Sequence, residues 1–235
     1  MRTADRRIAV PLLAAAFALP ATASAQDGPP TGGTAAPEPA AAAPAITATP
    51  HVFVGKVARF RGSFQPRDAG SAVTIERFDS KTLAWTAVTT AQVQSDGSYL
   101  ATWVADLPGR HRTRASLATA PAHNPDGGAA AFSASHGAEA STTVYRPARA
   151  SWYGPGFYGR RTACGQRMTR TLLGVAHRSL PCGAQIAINY DGRSITVPVV
   201  DRGPYVRGRR WDLTAATAKA LGFTFTDRVG AVRIG

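Results

Sequence analysis

The 235-residue chain holds only two cysteines and no apolar run of 18 residues. Two cysteines cannot build a four-thiolate zinc site or a disulfide-dense mini-protein. Without a long apolar run, no segment reads as a membrane-spanning helix. Carboxylates are also scarce: 14 Asp+Glu stand against 27 Lys+Arg, a formal net charge of +13. That excess is silent about fold, but it predicts attraction to an anionic partner. The length suits one large domain or two small ones, each able to bury a core without a metal.

What is present begins with a leader-like stretch, residues 1–25. Arg2, Arg6 and Arg7 precede a short apolar block, residues 8–19, and Ala23-Ser24-Ala25 gives a small-x-small cleavage pattern. Such a stretch is a secretory signal peptide, so the chain is expected outside the cytoplasmic membrane, associated with the cell wall. In that setting the anionic partner is a wall polymer rather than nucleic acid. Losing three arginines and one aspartate with the leader lowers the charge from +13 to +11. An oxidising compartment also makes a Cys164–Cys182 disulfide the expected state of the two cysteines.

Residues 26–44 are Ala, Pro, Gly and Thr with almost no large apolar side chain, and are expected to be a disordered linker. Residues 45–146 alternate apolar and polar positions in short runs: 57–63, 73–78, 85–88, 98–103, 112–117 and 141–145 read as strands. Turn signals at Asp96-Gly97 and Pro108-Gly109 separate them. This spacing predicts an immunoglobulin-like β-sandwich with a long mobile loop at 121–137. His111, His123 and His136 are scattered there and read as surface residues.

From residue 150 onward there is no Glu, and the carboxylates are Asp191, Asp201, Asp212 and Asp227; the only histidine is His177. Against four carboxylates stand twelve Arg and Lys219. Residues 150–153, 185–190, 194–200 and 229–234 read as strands, with Asp191-Gly192 as a hairpin turn and Pro198 marking an edge or bulge. Thr214 is a cap for a short helix over 215–221, closed by Gly222. Many short strands with one short helix suggest a closed barrel.

Five blocks in this region appear in a familiar order: Ala150-Ser151-Trp152-Tyr153-Gly154, Gly159-Arg160-Arg161-Thr162-Ala163-Cys164-Gly165, Val175-Ala176-His177-Arg178-Ser179-Leu180-Pro181, Val200-Asp201-Arg202-Gly203-Pro204-Tyr205 and Trp211-Asp212-Leu213-Thr214. They resemble the rare lipoprotein A-like domains. The resemblance implies that 147–235 form a six-stranded double-psi β-barrel, giving an all-β chain with one short helix. It also implies lytic transglycosylase activity on the glycan strands of peptidoglycan, and expansins share the same barrel. It places His177, Asp201 and Asp212 as candidate catalytic residues in a sugar-binding groove. Where lytic members carry Glu after Thr-x-x-Gly, this chain has Gln166, and Cys164 replaces the usual Asn or Ser.

Cleaving a glycosidic bond requires a proton for the leaving oxygen, and hydrolases use a pair of carboxylates. A lytic transglycosylase needs only one, because the C6 hydroxyl of the substrate attacks and a 1,6-anhydro sugar results. Asp201 or Asp212 would serve if partial burial raises its pKa, helped by a second, ionised carboxylate. Each residue also has a plainer reading. Asp201 fits a turn, Asp212 an ion pair with Arg209 or Arg210, His177 a structural role, and Asp191 only a turn. Tyr153 and Trp211 are the favoured sugar-stacking residues among several aromatics, with Tyr205 beside them, and Gln166 and Arg202 are candidate substrate contacts. The sequence gives no sign of a metal or organic cofactor, and the chain is expected to be a monomer. A non-catalytic, expansin-like module that binds and loosens wall polysaccharide is the competing reading, and Gln166 favours it.

Overall fold

The computed structural model describes residues 45–118 and 134–235. The expected leader (1–25), the linker (26–44) and most of the 121–137 loop lie outside the described residues. Thirteen strands and one α-helix follow in chain order: β1 (Ala45–Ala48), β2 (His51–Phe53), β3 (Val57–Ser63), β4 (Ala72–Asp79), β5 (Ala84–Gln92), β6 (Ser98–Val104), β7 (Gly109–Ala118), β8 (Ala134–Tyr153), β9 (Val175–Ala176), β10 (Gln185–Tyr190), β11 (Arg193–Asp201), β12 (Trp211–Thr214), α1 (Ala215–Leu221) and β13 (Asp227–Arg233).

Strands β1, β3 and β6 form one antiparallel sheet, and β5, β4, β7 and the first half of β8 form a second, with β2 alongside β8. Period-two alternation explains why they stack. On β6, Tyr99, Ala101 and Trp103 are buried while Leu100, Thr102 and Val104 face solvent. Those inward residues, with Phe60, meet Val73, Ile75, Leu117 and Val144 of the other sheet in one apolar core. His111, expected at the surface, is buried in this core: its ring stands edge-on to Trp103 at 5.7 Å, and Nε2 lies 2.7 Å from the Leu107 carbonyl oxygen.

The second half of β8 closes a ring of six strands. It pairs antiparallel with β13 and parallel with β12, and the circuit continues β12–β9–β11–β10–β13. Ile186, Ile188, Val197, Val199 and Leu213 fill the barrel, and Leu221 of α1 packs against them. Asp191 and Gly192 take φ values of 47° and 75° in the β10–β11 hairpin, a geometry that Asp and Gly accept more readily than other residues. Thr214 caps α1 by accepting from the Thr217 N–H, and Gly222 ends it at φ 70°. Strand β11 is paired on both sides rather than lying at an edge, and its irregularity falls between Val199 and Asp201, just past Pro198.

Residues 141–145 and 150–153 belong to one strand. Strand β8 runs for 20 residues and passes through Pro147 without a break. Between 146 and 149 its recorded partner is β13 alone, so the missing proline N–H costs no second ladder. Where the two halves meet, Tyr145 is fully buried against Ala187 and Val232, beside Phe53 and Ile234. Its hydroxyl lies 3.0 Å from His51 Nδ1 and 3.4 Å from Ser194 Oγ.

Cys164 and Cys182 form a disulfide with their Cα atoms 5.6 Å apart, closing an 18-residue separation. Replacing both with serine is expected to lower unfolding free energy by about 3 kcal/mol. Urea denaturation of the two proteins measures the difference, and equal midpoints would show that the bridge contributes nothing.

Candidate active site

Strand register creates the site. Ala176 on β9 lies opposite Asp201 of β11 on one side and opposite Asp212 of β12 on the other. Side chains at paired positions share a face of a sheet, so both carboxylates project from the same surface across the small Ala176. Together with Tyr153, Phe157 and Tyr205 they line a cleft of about 270 Å³.

The two carboxylates differ in surroundings. Asp201 accepts three hydrogen bonds: Oδ1 from the backbone N–H groups of Ala163 and Arg202, both at 2.8 Å, and Oδ2 from the Tyr153 hydroxyl at 3.1 Å. Asp212 accepts one, at 2.8 Å from the buried Ser151 hydroxyl. Burial pushes the Asp212 carboxyl above its ordinary value, and Asp201 adds to the rise. The Ser151 bond and the charge of Arg209 oppose it. Among the described residues, Asp212 has no ion pair with Arg209 or Arg210. Burial also pushes the Tyr153 hydroxyl well upward, with Asp201 contributing, so the phenol stays protonated and donates.

His177 follows Ala176, and alternation turns it to the opposite face. Its ring packs 4.6 Å from Trp211, the residue before Asp212 on the neighbouring strand. Nδ1 accepts from the backbone N–H groups of Ser179 (3.2 Å) and Leu180 (3.1 Å). Burial and then the charges of Arg210, Arg202 and Arg178 lower its pKa, so the ring is neutral at pH 7 with its proton on Nε2. His177 lines a second cleft of about 350 Å³ with Arg178, Ser179, Gly208, Arg209 and Arg210. The second cleft shares Arg209 with the first. The two candidate aspartates therefore share one cleft, and the imidazole lines another that has Arg209 in common with it.

Three other expected contacts are placed differently. Trp211 is 4% exposed and belongs to the barrel core, so it presents no ring to the aspartate cleft. Gln166 lines neither cleft; its Oε1 accepts from the Thr162 hydroxyl at 3.0 Å. Arg202 borders the aspartate cleft, but its guanidinium donates to the carbonyls of Leu180 (2.9 Å) and His177 (3.4 Å), with Cys182 Sγ at 3.4 Å. Arg178 is its counterpart, donating to the carbonyls of Pro204, Val206 and Arg209. Each arginine thus fastens the loop that follows the other's strand, and the two together fix the wall around the clefts.

Tyr153 and Tyr205 are where a sugar could meet them, and Tyr205 is 80% exposed. Phe157, 48% exposed, stands edge-on to Tyr153 at 5.7 Å and lines the cleft that Trp211 does not reach. Ser151 was not foreseen as the support of Asp212. Its signal was its position in β8 directly beside β12, visible only once the parallel pairing is known. Among the described residues no group of three His, Cys, Asp or Glu could hold a metal ion.

The closed ring of six strands, with Asp201 and Asp212 on the two strands that flank β9, has the architecture of a six-stranded β-barrel. Residues 146–235 match the family described as lytic transglycolase. This part of the chain is similar to the rare lipoprotein A-like double-psi β-barrel proteins. It is 52% identical over 75 residues to the probable endolytic peptidoglycan transglycosylase RlpA of Aquifex aeolicus, covering 31% of this chain and 33% of that protein. It is 49% identical over 75 residues to the protein of the same name from Synechocystis sp., covering 31% of this chain and 23% of that one. The endolytic peptidoglycan transglycosylase RlpA of Campylobacter jejuni is 39% identical over 74 residues, 31% of this chain and 27% of its own length. The chain thus spans between about a quarter and a third of the length of these relatives.

A carboxyl whose folded-state pKa is raised binds its proton more tightly when folded. Its contribution is therefore favourable at low pH and is lost as pH rises through the folded value. Asp212→Asn, which keeps an acceptor for Ser151, is expected to melt higher than the natural protein at pH 7. The advantage should shrink as pH falls towards 4. Thermal melts across that range test this, and a lower melting temperature for the variant at pH 7 would contradict it.

Proposed function

We propose that this chain is an extracytoplasmic peptidoglycan lytic transglycosylase acting on glycan strands and leaving 1,6-anhydro ends. The supporting observation is the pair of carboxylates on one face across Ala176, with Asp212 pushed by burial towards its protonated form. The names of the relatives point to the same substrate.

In this reading Asp212 is the proton carrier. Its carboxyl donates to the glycosidic oxygen as the C1–O bond breaks. The charge that develops on the sugar faces Asp201, which Tyr153, Ala163 and Arg202 hold in place. The C6 hydroxyl then attacks C1, and its proton returns to Asp212, so no water is consumed. Of the two aspartates that the sequence offers for this role, this assignment takes Asp212 as the principal one. Both oxygens of Asp201 are already committed to donors, whereas Asp212 keeps one oxygen without a partner among the described residues. Tyr205 and Phe157 supply the apolar surfaces for the sugar faces. His177, neutral and on the other face, is a donor through Nε2 to the strand in the adjoining cleft.

Gln166 is the feature that favours a non-catalytic, expansin-like module. Its side chain is bonded to Thr162 outside both clefts, so the missing glutamate takes no carboxylate from the pair proposed here. We read residues 45–146 as an immunoglobulin-like sandwich that holds the barrel of 147–235 away from the expected linker.

Peptide-stripped glycan strands incubated with the protein and analysed by mass spectrometry should show new anhydro ends. Asp212→Asn is expected to cut their rate of formation by about 100-fold or more. The natural enzyme should lose rate as pH rises through the Asp212 value, because the acid form is the one that donates. Strand binding without anhydro products from the natural protein, together with their appearance in Gln166→Glu, would establish the binding-module reading instead.

A further inference from the structure

A third cavity shares Arg210 with the His177 cleft. This cavity, about 350 Å³, is lined by Pro108, Arg146, Leu180, Arg210, Trp211 and Arg233, among others. Arg209 borders the first and second clefts and Arg210 the second and third, so two consecutive arginines stand between the three. The far end is not made by the barrel alone. Pro108 immediately precedes β7, and Arg146 stands where β8 passes from one sheet into the ring.

Charge along the three cavities has one sign beyond the aspartates. Arg209, Arg210, Arg146 and Arg233 follow one another, and among the described residues none has a carboxylate within ion-pair distance. The ion pairs of the described structure involve Arg77, Arg112 and Arg114, all before residue 115. In the third cavity Arg146, Arg210 and Arg233 stand beside apolar surface from Leu180 and Pro108, and the buried Trp211 Nε1–H at its wall has no partner among the described residues. A polymer with sugar faces and carboxylates in alternation fits such a wall.

We infer that the three cavities together form an extended trough, on one side of the aspartates only, for an anionic carboxylate-bearing glycan strand, and that the N-terminal sheets complete its far end. The occupant is the strand proposed to be cut, since Arg209 borders the aspartate cleft and Arg210 the third cavity; the inference rests on that reading for its ligand. The N-terminal half is then part of the substrate-binding surface.

The test uses the full chain, peptide-stripped glycan strands, and the same strands with their carboxyls converted to amides. Binding and anhydro-end formation are measured separately, at low and at physiological salt. Arg146→Gln/Arg210→Gln/Arg233→Gln is expected to bind strands about tenfold more weakly at low salt and to lose most of the salt dependence. Amidated strands should bind the natural protein with a similar loss and show little further loss with the triple variant. Arg59→Gln/Arg61→Gln, exposed on β3 of the other sheet, should bind as the natural protein does. Unchanged affinity in the triple variant, or equal binding of amidated strands, would overturn the trough even if anhydro ends still form. Salt-dependent binding lost in the triple variant, with no anhydro ends from the natural protein, would keep the trough and remove the proposed chemistry.

Discussion

The site depends on one register: a two-residue strand, β9, wedged between β11 and β12 so that Ala176 faces Asp201 and Asp212 at once. Slipping either neighbour by one residue would turn its aspartate to the opposite face of the sheet. The surrounding contacts guard against such a slip. Asp201 is tied through its own carboxylate to the loop bearing Ala163, and that loop is joined by the disulfide to the one ending at Cys182. Arg178 and Arg202 then lock that same β9–β10 loop to the one that follows β11. Most of the polar bonding near the clefts is therefore spent on loop position, which leaves few side chains with spare capacity.

Those few are informative. Asp212, supported only by Ser151, and Arg209 and Arg210, without carboxylate partners among the described residues, face the clefts. Arg202 and Arg178 carry the same guanidinium, yet backbone carbonyls have claimed it. Composition alone cannot separate these two classes of arginine, because the difference lies in which carbonyls the neighbouring loops point inward.

Local signals in the sequence found much of the framework. The Asp191-Gly192 hairpin, the Thr214 cap, the Gly222 stop and the limits of β3 and β10 all rest on short-range chemistry, and the structure has them where that chemistry puts them. Long-range pairing was less visible. Strands β1, β2, β9 and β12 are two to four residues long, too short for alternation to show, and they owe their conformation to neighbours far along the chain. Trp211 was misjudged for a related reason. An aromatic beside a candidate acid looks like a stacking platform, but adjacent residues on a strand face opposite ways. Once Asp212 faces the cleft, Trp211 must face the core. His177 differs from the aspartates by that same single step beyond Ala176.

The unbroken passage of β8 through Pro147 has a practical side. A boundary drawn at 146–147 from composition cuts neither a tether nor a turn; it severs a strand in mid-course and strips β7 and β2 of their shared neighbour. It would also uncover Tyr145 and the patch of Ala187 and Val232 that it shields, leaving the barrel with a fresh sticky surface. Anyone wishing to handle the barrel by itself must replace that lost cover, and pulling on one half of this protein should tug directly on the other.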